Sequence, residues 1–305
     1  MGGETRTESW SFQVADYFTI PAAAGTALGT GSDAGMLWRT HQLGSSRGNS
    51  IALAEQQLAG DLGENEFDDF GFDSNGLFSV PFVNFEQGGG NAGNFNADAF
   101  DDSLAVPDDL IPGIPGLNGS TDNIAAEALT YLEFDSPGIQ RMVVNSDDGF
   151  QVSVGTPGDP TWAVLGAFDG GRGASDTVFS FNVEEAGVYF FRLLWFEGGG
   201  GANVEWFTIT PEGCRALIGD DQADGSLKAF QTRSVAEPTL PEQVEPSEPG
   251  MISRIVRSAD GVVSIEFTGT LEAAATVDGP FEAVSGASSP YTVNADGAAQ
   301  FFIAR

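Results

Sequence analysis

The run Val188–Phe196 (VYFFRLLWF) constrains the fold more than any other stretch of this chain. It is apolar on both faces, so a strand built from it needs cover on both sides and belongs at the centre of a sheet. No apolar run reaches the roughly 18 residues that a membrane helix needs. Its neighbours carry β signals of their own. Ala186-Gly187 reads as the turn before it and Glu197–Gly201 as the tip after it. Asn203–Ile209 then returns with Val204 and Trp206 on one face. Upstream, Phe179, Phe181 and Val183 alternate. Gln140–Asn145 and Phe150–Val154 flank Ser146-Asp147-Asp148-Gly149, which reads as a hairpin tip. Ile124–Phe134 reads as a strand ending at the turn Ser136-Pro137-Gly138. Short strands at this spacing, with turn residues between them, predict an all-β fold, an antiparallel β-sandwich.

The segments around this centre divide the chain. Trp10, Phe12 and Val14 alternate with polar residues in a half-buried strand over 9–20, and 21–35 is small-residue and linker-like. Residues 1–30 are therefore expected to be the end of a preceding β module and its linker, and 31–234 the sandwich. In the sandwich, Met36–Arg39 starts a strand, and Asn49 or Ser50 caps a short helix over Ile51–Leu58 that Gly60 ends. Residues 61–120 are irregular, with strand-like patches over 77–85, and long loops of this kind are often functional. Residues 235–250 are rich in proline and glutamate and read as a stiff linker. Residues 251–305 form a small β module, with strands at Ile252–Arg257, Val262–Phe267 and Gln300–Ala304.

Charge decides among partners. The formal net charge is −32 over 305 residues, with 44 acidic side chains against 12 lysines and arginines. Such a field repels nucleic-acid phosphates and anionic lipid heads, so neither nucleic acid nor membrane insertion is expected. A single cysteine and a single histidine exclude an internal disulfide, a cysteine-rich zinc site and a multi-histidine metal centre. With 41% apolar residues and 24 phenylalanines the chain is nonetheless rich enough to fold.

Four groups of residues then form a recognisable order. Val144–Phe150 contains Ser146-Asp147-Asp148-Gly149, Ala186-Gly187-Val188-Tyr189 follows, and Phe196–Gly201 and Val204-Glu205-Trp206 close the series. This order over 139–210 resembles the protective-antigen fourteen-kilodalton (PA14) domain, a β-sandwich of bacterial toxins, glycosidase inserts, yeast flocculins and bacterial adhesins. The resemblance extends over 35–232 and is silent for 1–30 and 251–305, which look like modules of very large multi-module bacterial surface proteins. It implies that Asp147 and Asp148 are joined by a cis peptide and ligate Ca2+ through their carboxylates. Gly198, Gly199 and Gly200 would add carbonyl oxygens, with Glu197 beside them. Calcium suits these donors, since it takes six to eight oxygens in irregular geometry. The implied function is calcium-dependent carbohydrate binding and adhesion, non-enzymatic, by an extracellular or bacterial cell-surface protein. Asp147 and Asp148 would meet a glycan or polysaccharide, and Phe150 or Trp162 would stack on the sugar. The alternatives are a spacer module that binds calcium only for rigidity and an accessory domain of a carbohydrate-active enzyme. No apolar signal segment follows Met1–Arg6, which this reading attributes to a chain cut from a longer exported one, with neighbouring modules as further partners.

Other clusters point less far. Asp220–Gly225 imitates a calcium loop but has Gln222 at its third position and Gln231 at its twelfth, so it reads as a solvated turn. Asp108-Asp109 reads as surface. Gly88–Gly90 with Asn91, Asn94 and Asn96 reads as a flexible loop, with a second sugar-facing loop as the alternative. Arg172, in a glycine-rich stretch, is expected to neutralise nearby acids. His41 follows buried-looking residues and Cys214 lies in a turn with no base at hand, so neither suggests catalysis.

Overall fold

The computed structural model describes residues 17–88, 90–243, 251–258, 262–275, 281–294 and 300–304. Of the strand expected over 9–20, residues 9–16 lie outside them. The chain divides into two compact units, Met1–Pro241 and Glu242–Arg305.

In the first unit the strands are β1 (Thr19–Ile20), β2 (Gly25–Thr26), β3 (Gly31–Ala34) and β4 (Met36–Gln42). Helix α1 (Ile51–Leu58) follows, then β5 (Phe78–Val80), β6 (Asn84–Glu86), β7 (Asp109–Leu110) and β8 (Ile124–Phe134). The rest are β9 (Gly138–Asp147), β10 (Gly149–Thr156), β11 (Asp159–Phe168), β12 (Ser175–Val183), β13 (Gly187–Glu197), β14 (Asn203–Ile209), β15 (Arg215–Leu217) and β16 (Lys228–Arg233). One sheet runs β1-β12-β9-β14-β6-β7, with β15 also on β14. The other runs β11-β10-β13-β8-β16-β3, with β4 on β8, β5 on β4 and β2 on β13. The two sheets enclose one core. Phe191, Leu193 and Trp195 of β13 and Val144, Phe181, Val204 and Trp206 of the opposite sheet are all fully buried in it. This is the all-β sandwich that the strand spacing predicts.

Strand β13 shows why its sequence looks as it does. Tyr189, Phe191, Leu193 and Trp195 face the sandwich core. On its other face Leu194 and Phe196 pack under α1 with Ala54 and Leu58, and Val188 and Phe190 pack with Tyr131. Ser50 caps α1 through its hydroxyl, which accepts from the Leu53 amide at 3.3 Å. Arg192, also on that outer face, is the exception in an apolar run. It reaches Glu127 Oε2 and Glu55 Oε1 at 2.6 Å each.

Two expectations change. Residues 21–35, expected to be linker-like, instead carry β2, which pairs with β13, and β3, which pairs with β16, and β1 just before them runs parallel to β12. Ser146–Gly149 is not a hairpin tip either. β9 and β10 lie in different sheets, and the short turn between them crosses the sandwich. Gly149 is required there, because a Cβ would meet the Phe196 ring at 2.3 Å and the Phe168 carbonyl at 2.6 Å.

The second unit holds β17 (Ile252–Arg257), β18 (Val262–Phe267), β19 (Leu271–Ala274), β20 (Glu282–Ala283), β21 (Tyr291–Asn294) and β22 (Phe301–Ala304). They form two three-stranded sheets, β17-β18-β21 and β20-β19-β22. Ile265, Phe267 and Leu271 are its buried centre.

Candidate functional site

Pairing in both sheets brings two distant loops together. β10 pairs with β13, setting Gly149 opposite Phe196, and β9 pairs with β14, setting Asp147 opposite Asn203. The segments 147–149 and 197–203 therefore cross between the sheets side by side, and their carboxylates share one end of the sandwich. One oxygen each of Asp147, Asp148 and Glu197 lies within 4.8 Å of the others. The Asp147–Asp148 peptide is cis.

The three carboxylates differ in what they already hold. Asp148 is nearly buried: Oδ1 accepts the Arg172 amide at 2.7 Å, and Oδ2 accepts the Gly198 amide at 3.0 Å and the Asn49 side-chain amide. Its turn is pinned by Ser146 Oγ, which donates to the Asp148 carbonyl at 2.7 Å, and by Trp195 Nε1, which donates to the Asp147 carbonyl at 3.1 Å. Glu197 is 0% exposed, and neither of its carboxylate oxygens has a hydrogen-bond partner. Burial, then the charges of Asp148 and Asp147, push its carboxyl up to about 9. Asp147, on the half-open side, is pushed up to about 6 by burial and by Asp148. A buried acceptor pair with no donor is costly. Here it faces two more carboxylates, and the three together could hold a metal ion. More oxygens are at hand. Asn49 Oδ1, which a Cβ on Gly198 would meet at 2.2 Å, and Asn123 Oδ1 are both buried and unpartnered.

Two arginines frame the acids without covering them. Arg172 donates through Nε to the Ser146 carbonyl at 3.1 Å and through Nη2 to Ser146 Oγ at 2.8 Å, and it lies 4.3 Å over the Phe168 ring. Burial lowers its guanidinium against the pull of Asp176, Asp147 and Asp148, and its side-chain nitrogens bond Ser146 and Thr177 rather than a carboxylate. Arg47 lies over Phe196 and donates to the Ile124 carbonyl at 2.9 Å; burial lowers it to about 10 against the pull of Asp148 and Glu197.

Of the expected residues, Asp147, Asp148, Glu197 and Gly198 come together here. Gly199 and Gly200 form the exposed lip beside Asp122, whose Oδ1 accepts the Gly200 amide at 3.3 Å. The Gly198 carbonyl accepts the Asn123 amide at 3.2 Å. The two aromatic assignments need correcting. Phe150 is fully buried, with its ring against Phe179 and under Arg172, so it offers a sugar no face. Trp162 lies six residues from Phe168, the β11 residue opposite Phe150, and thus roughly 20 Å along the strand from the site. Its indole pairs edge-on with Phe18 and donates to the Pro241 carbonyl at 3.1 Å.

Asn49, Asp122 and Asn123 escape sequence reasoning. Asn49 suggests a helix cap, yet Ser50 takes that role and leaves the Asn49 amide to Asp148, 99 residues away. His41 is buried on β4, where burial lowers its imidazole pKa, and Cys214 is an exposed free thiol in a turn.

The contact at Gly198 makes a testable point. In Gly198→Ala the methyl group displaces Asn49 and with it one donor to Asp148. Calcium affinity is expected to fall by about tenfold or more, the usual range for residues that orient ligands. Calcium titration calorimetry checks this.

No family model and no curated protein matches the chain. Among solved structures it is similar to the PA14 domain of the MpAFP antifreeze protein, at 15% identity over 75% of this chain and 99% of that one, with a TM-score of 0.42. It is also similar to a PA14 sugar-binding domain from an RTX adhesin, at 15% identity over 61% and 96% of the two chains, with a TM-score of 0.40. A third is the Epithelial Adhesin 9 A domain from Candida glabrata in complex with Galβ1-3GlcNAc, at 11% identity over 72% and 100%, with a TM-score of 0.41. The β-sandwich itself is read from this chain's own two sheets.

Proposed function

We propose that the first unit is a calcium-dependent carbohydrate-binding and adhesion module, acting outside the cell or on a bacterial cell surface and not as an enzyme. The observation that carries this reading is Glu197, a buried carboxylate with two unpartnered oxygens set against Asp147 and Asp148 at the mouth of two loops. Asp147, Asp148 and Glu197 would hold the ion, with Asn49 and Asn123 supplying amide oxygens. Calcium bound there supplies open coordination positions for vicinal hydroxyls. Gly199 and Gly200 keep the lip free of side chains, so a pyranose can approach, and Asp122 offers a hydroxyl acceptor beside them. The surplus of negative charge fits a calcium-rich exterior, where divalent ions screen self-repulsion.

The test is a glycan array probed with the protein in millimolar calcium and again with chelator, with Galβ1-3GlcNAc, Galβ1-4GlcNAc and lactose among the probes. Signals that chelator abolishes are the expected result. Calcium uptake without any glycan signal would favour a spacer role, and no calcium uptake would overturn both.

A further inference from the structure

A second set of buried oxygens lies on the outer face of the β1-β12-β9-β14-β6-β7 sheet. The strand registers line up a polar row there. Asp176 of β12 stands opposite Asn145 of β9, Asn145 opposite Glu205 of β14, and Glu205 opposite Asn84 of β6. Asp108 precedes Asp109, which pairs with Phe85, so it ends the row beside Asn84. The segment 87–107 folds over this row. Asn94 and Phe95 donate their amides to Glu205 at 2.7–2.9 Å, and Phe95 inserts against Phe207. The glycine-rich stretch expected to be flexible thus begins as a cap, with the Gly88 and Gly90 amides on Glu86 Oε2 at 2.7 and 2.6 Å.

Glu205 is satisfied by this cap, but its neighbours are not. Both carboxylate oxygens of Asp108 are buried and unpartnered, so Asp108 is not the surface residue its sequence context suggests. Asn84 is 1% exposed; its Nδ2 donates to the Val106 and Pro107 carbonyls at 3.2 Å, which fixes the amide against the chain entering Asp108, and its Oδ1 has no partner. Asn203, opposite Glu86 and also 1% exposed, leaves its Oδ1 unpartnered in the same way. Burial, then the charges of Glu205, Glu86 and Asp109, all negative, push its carboxyl up to about 7.

We propose that Asp108 and Asn84 bind a second calcium ion beneath the 87–107 segment, clamping that segment and β7 onto the sheet. Carboxylate and amide oxygens in an irregular cradle suit calcium better than magnesium, which demands near-octahedral geometry and keeps its waters. The site is separate from the Asp147–Asp148–Glu197 trio, and its ligands approach from the outer face of the sheet.

Calcium titration calorimetry on the whole chain tests it. The wild type is expected to take up two ions, Asp108→Asn one and Asp148→Asn one, and the double variant none. Calcium should also slow proteolysis within 87–107 at least fivefold in Asp148→Asn but not in Asp108→Asn. If Asp148→Asn takes up no calcium while the wild type takes one ion, the second site is overturned and the first stands. If the wild type and Asp148→Asn each take one ion that Asp108→Asn loses, the second stands and the first fails. Unchanged stoichiometry in Asp108→Asn leaves that carboxyl holding only a proton, and the proposal is wrong.

Discussion

Glu197→Gln is expected to make the calcium-free protein more stable at pH 7 while it removes calcium binding at the Asp147–Asp148 loop. The folded-state carboxyl of Glu197 titrates at about 9, pushed up by burial and by Asp148 and Asp147, against about 4.3 in an unfolded chain. Between those values the folded protein carries a proton that the unfolded chain has lost. Stability must therefore fall as pH rises through that window, by up to about 1.4 kcal/mol per pH unit. Glutamine has the same shape and no proton to hold, so the slope disappears. Denaturant unfolding in chelator should find the variant about 1–3 kcal/mol more stable at pH 7 and close to wild type near pH 4.5. Calcium should reverse the order. It stabilises by mass action, so in an Asp108→Asn background, which lacks the second proposed site, calcium should raise the stability of the protein with Glu197 and leave the Glu197→Gln variant nearly unmoved. The wild type should also release close to one proton per ion at pH 7, read from calorimetry in buffers of different ionisation enthalpy. Asp147, raised to about 6, adds a further loss of affinity as pH falls below that value. Equal stability of the two proteins at pH 7 without calcium would refute the idea that Glu197 is an unpartnered buried acid.

Local pattern carried much of the fold and only part of the site. Asn203–Ile209, Ile252–Arg257 and Val262–Phe267 are read correctly to the residue, and so is the helix Ile51–Leu58, because apolar period and cap residues are local signals. Ser146–Gly149 was legible as a turn but not as a crossing, since Asp-Asp-Gly fits either, and the choice of sheet for β10 depends on its pairing with β13, about forty residues later. The acidic members of the site came through a motif. Its amide members did not, because Asn49 and Asn123 reach Asp148 and Gly198 only through tertiary packing. Phe150 and Trp162 fail for a related reason. An aromatic next to a loop in sequence can belong to the core, as Phe150 does, or to the far end of its strand, as Trp162 does.

The single charge within β13 gives the other large effect. Arg192→Met is expected to destabilise the protein by about 3–5 kcal/mol. The Arg192 and Glu127 side chains are each only 5% exposed, and Nε lies 2.6 Å from Glu127 Oε2. Two further nitrogens hold the Glu55 carboxylate at 2.6 and 2.9 Å. Methionine fills the volume of the stem and removes all three bonds. Glu55, 38% exposed, can turn to water; Glu127 cannot, and keeps only Arg39 Nη2 at 2.6 Å. The loss is thus mostly the penalty of a nearly buried carboxylate left with one of its two arginines rather than the worth of the pair. Arg192→Met combined with Glu127→Met separates the two. If the stranded charge dominates, the double variant recovers to within about 1 kcal/mol of wild type, a coupling of several kcal/mol in a double-mutant cycle read by urea unfolding. If the double variant is as unstable as the single one, the ion pair itself holds α1 and β8 to β13, and the outer face of the central strand is stabilised by charge rather than by the apolar packing around it.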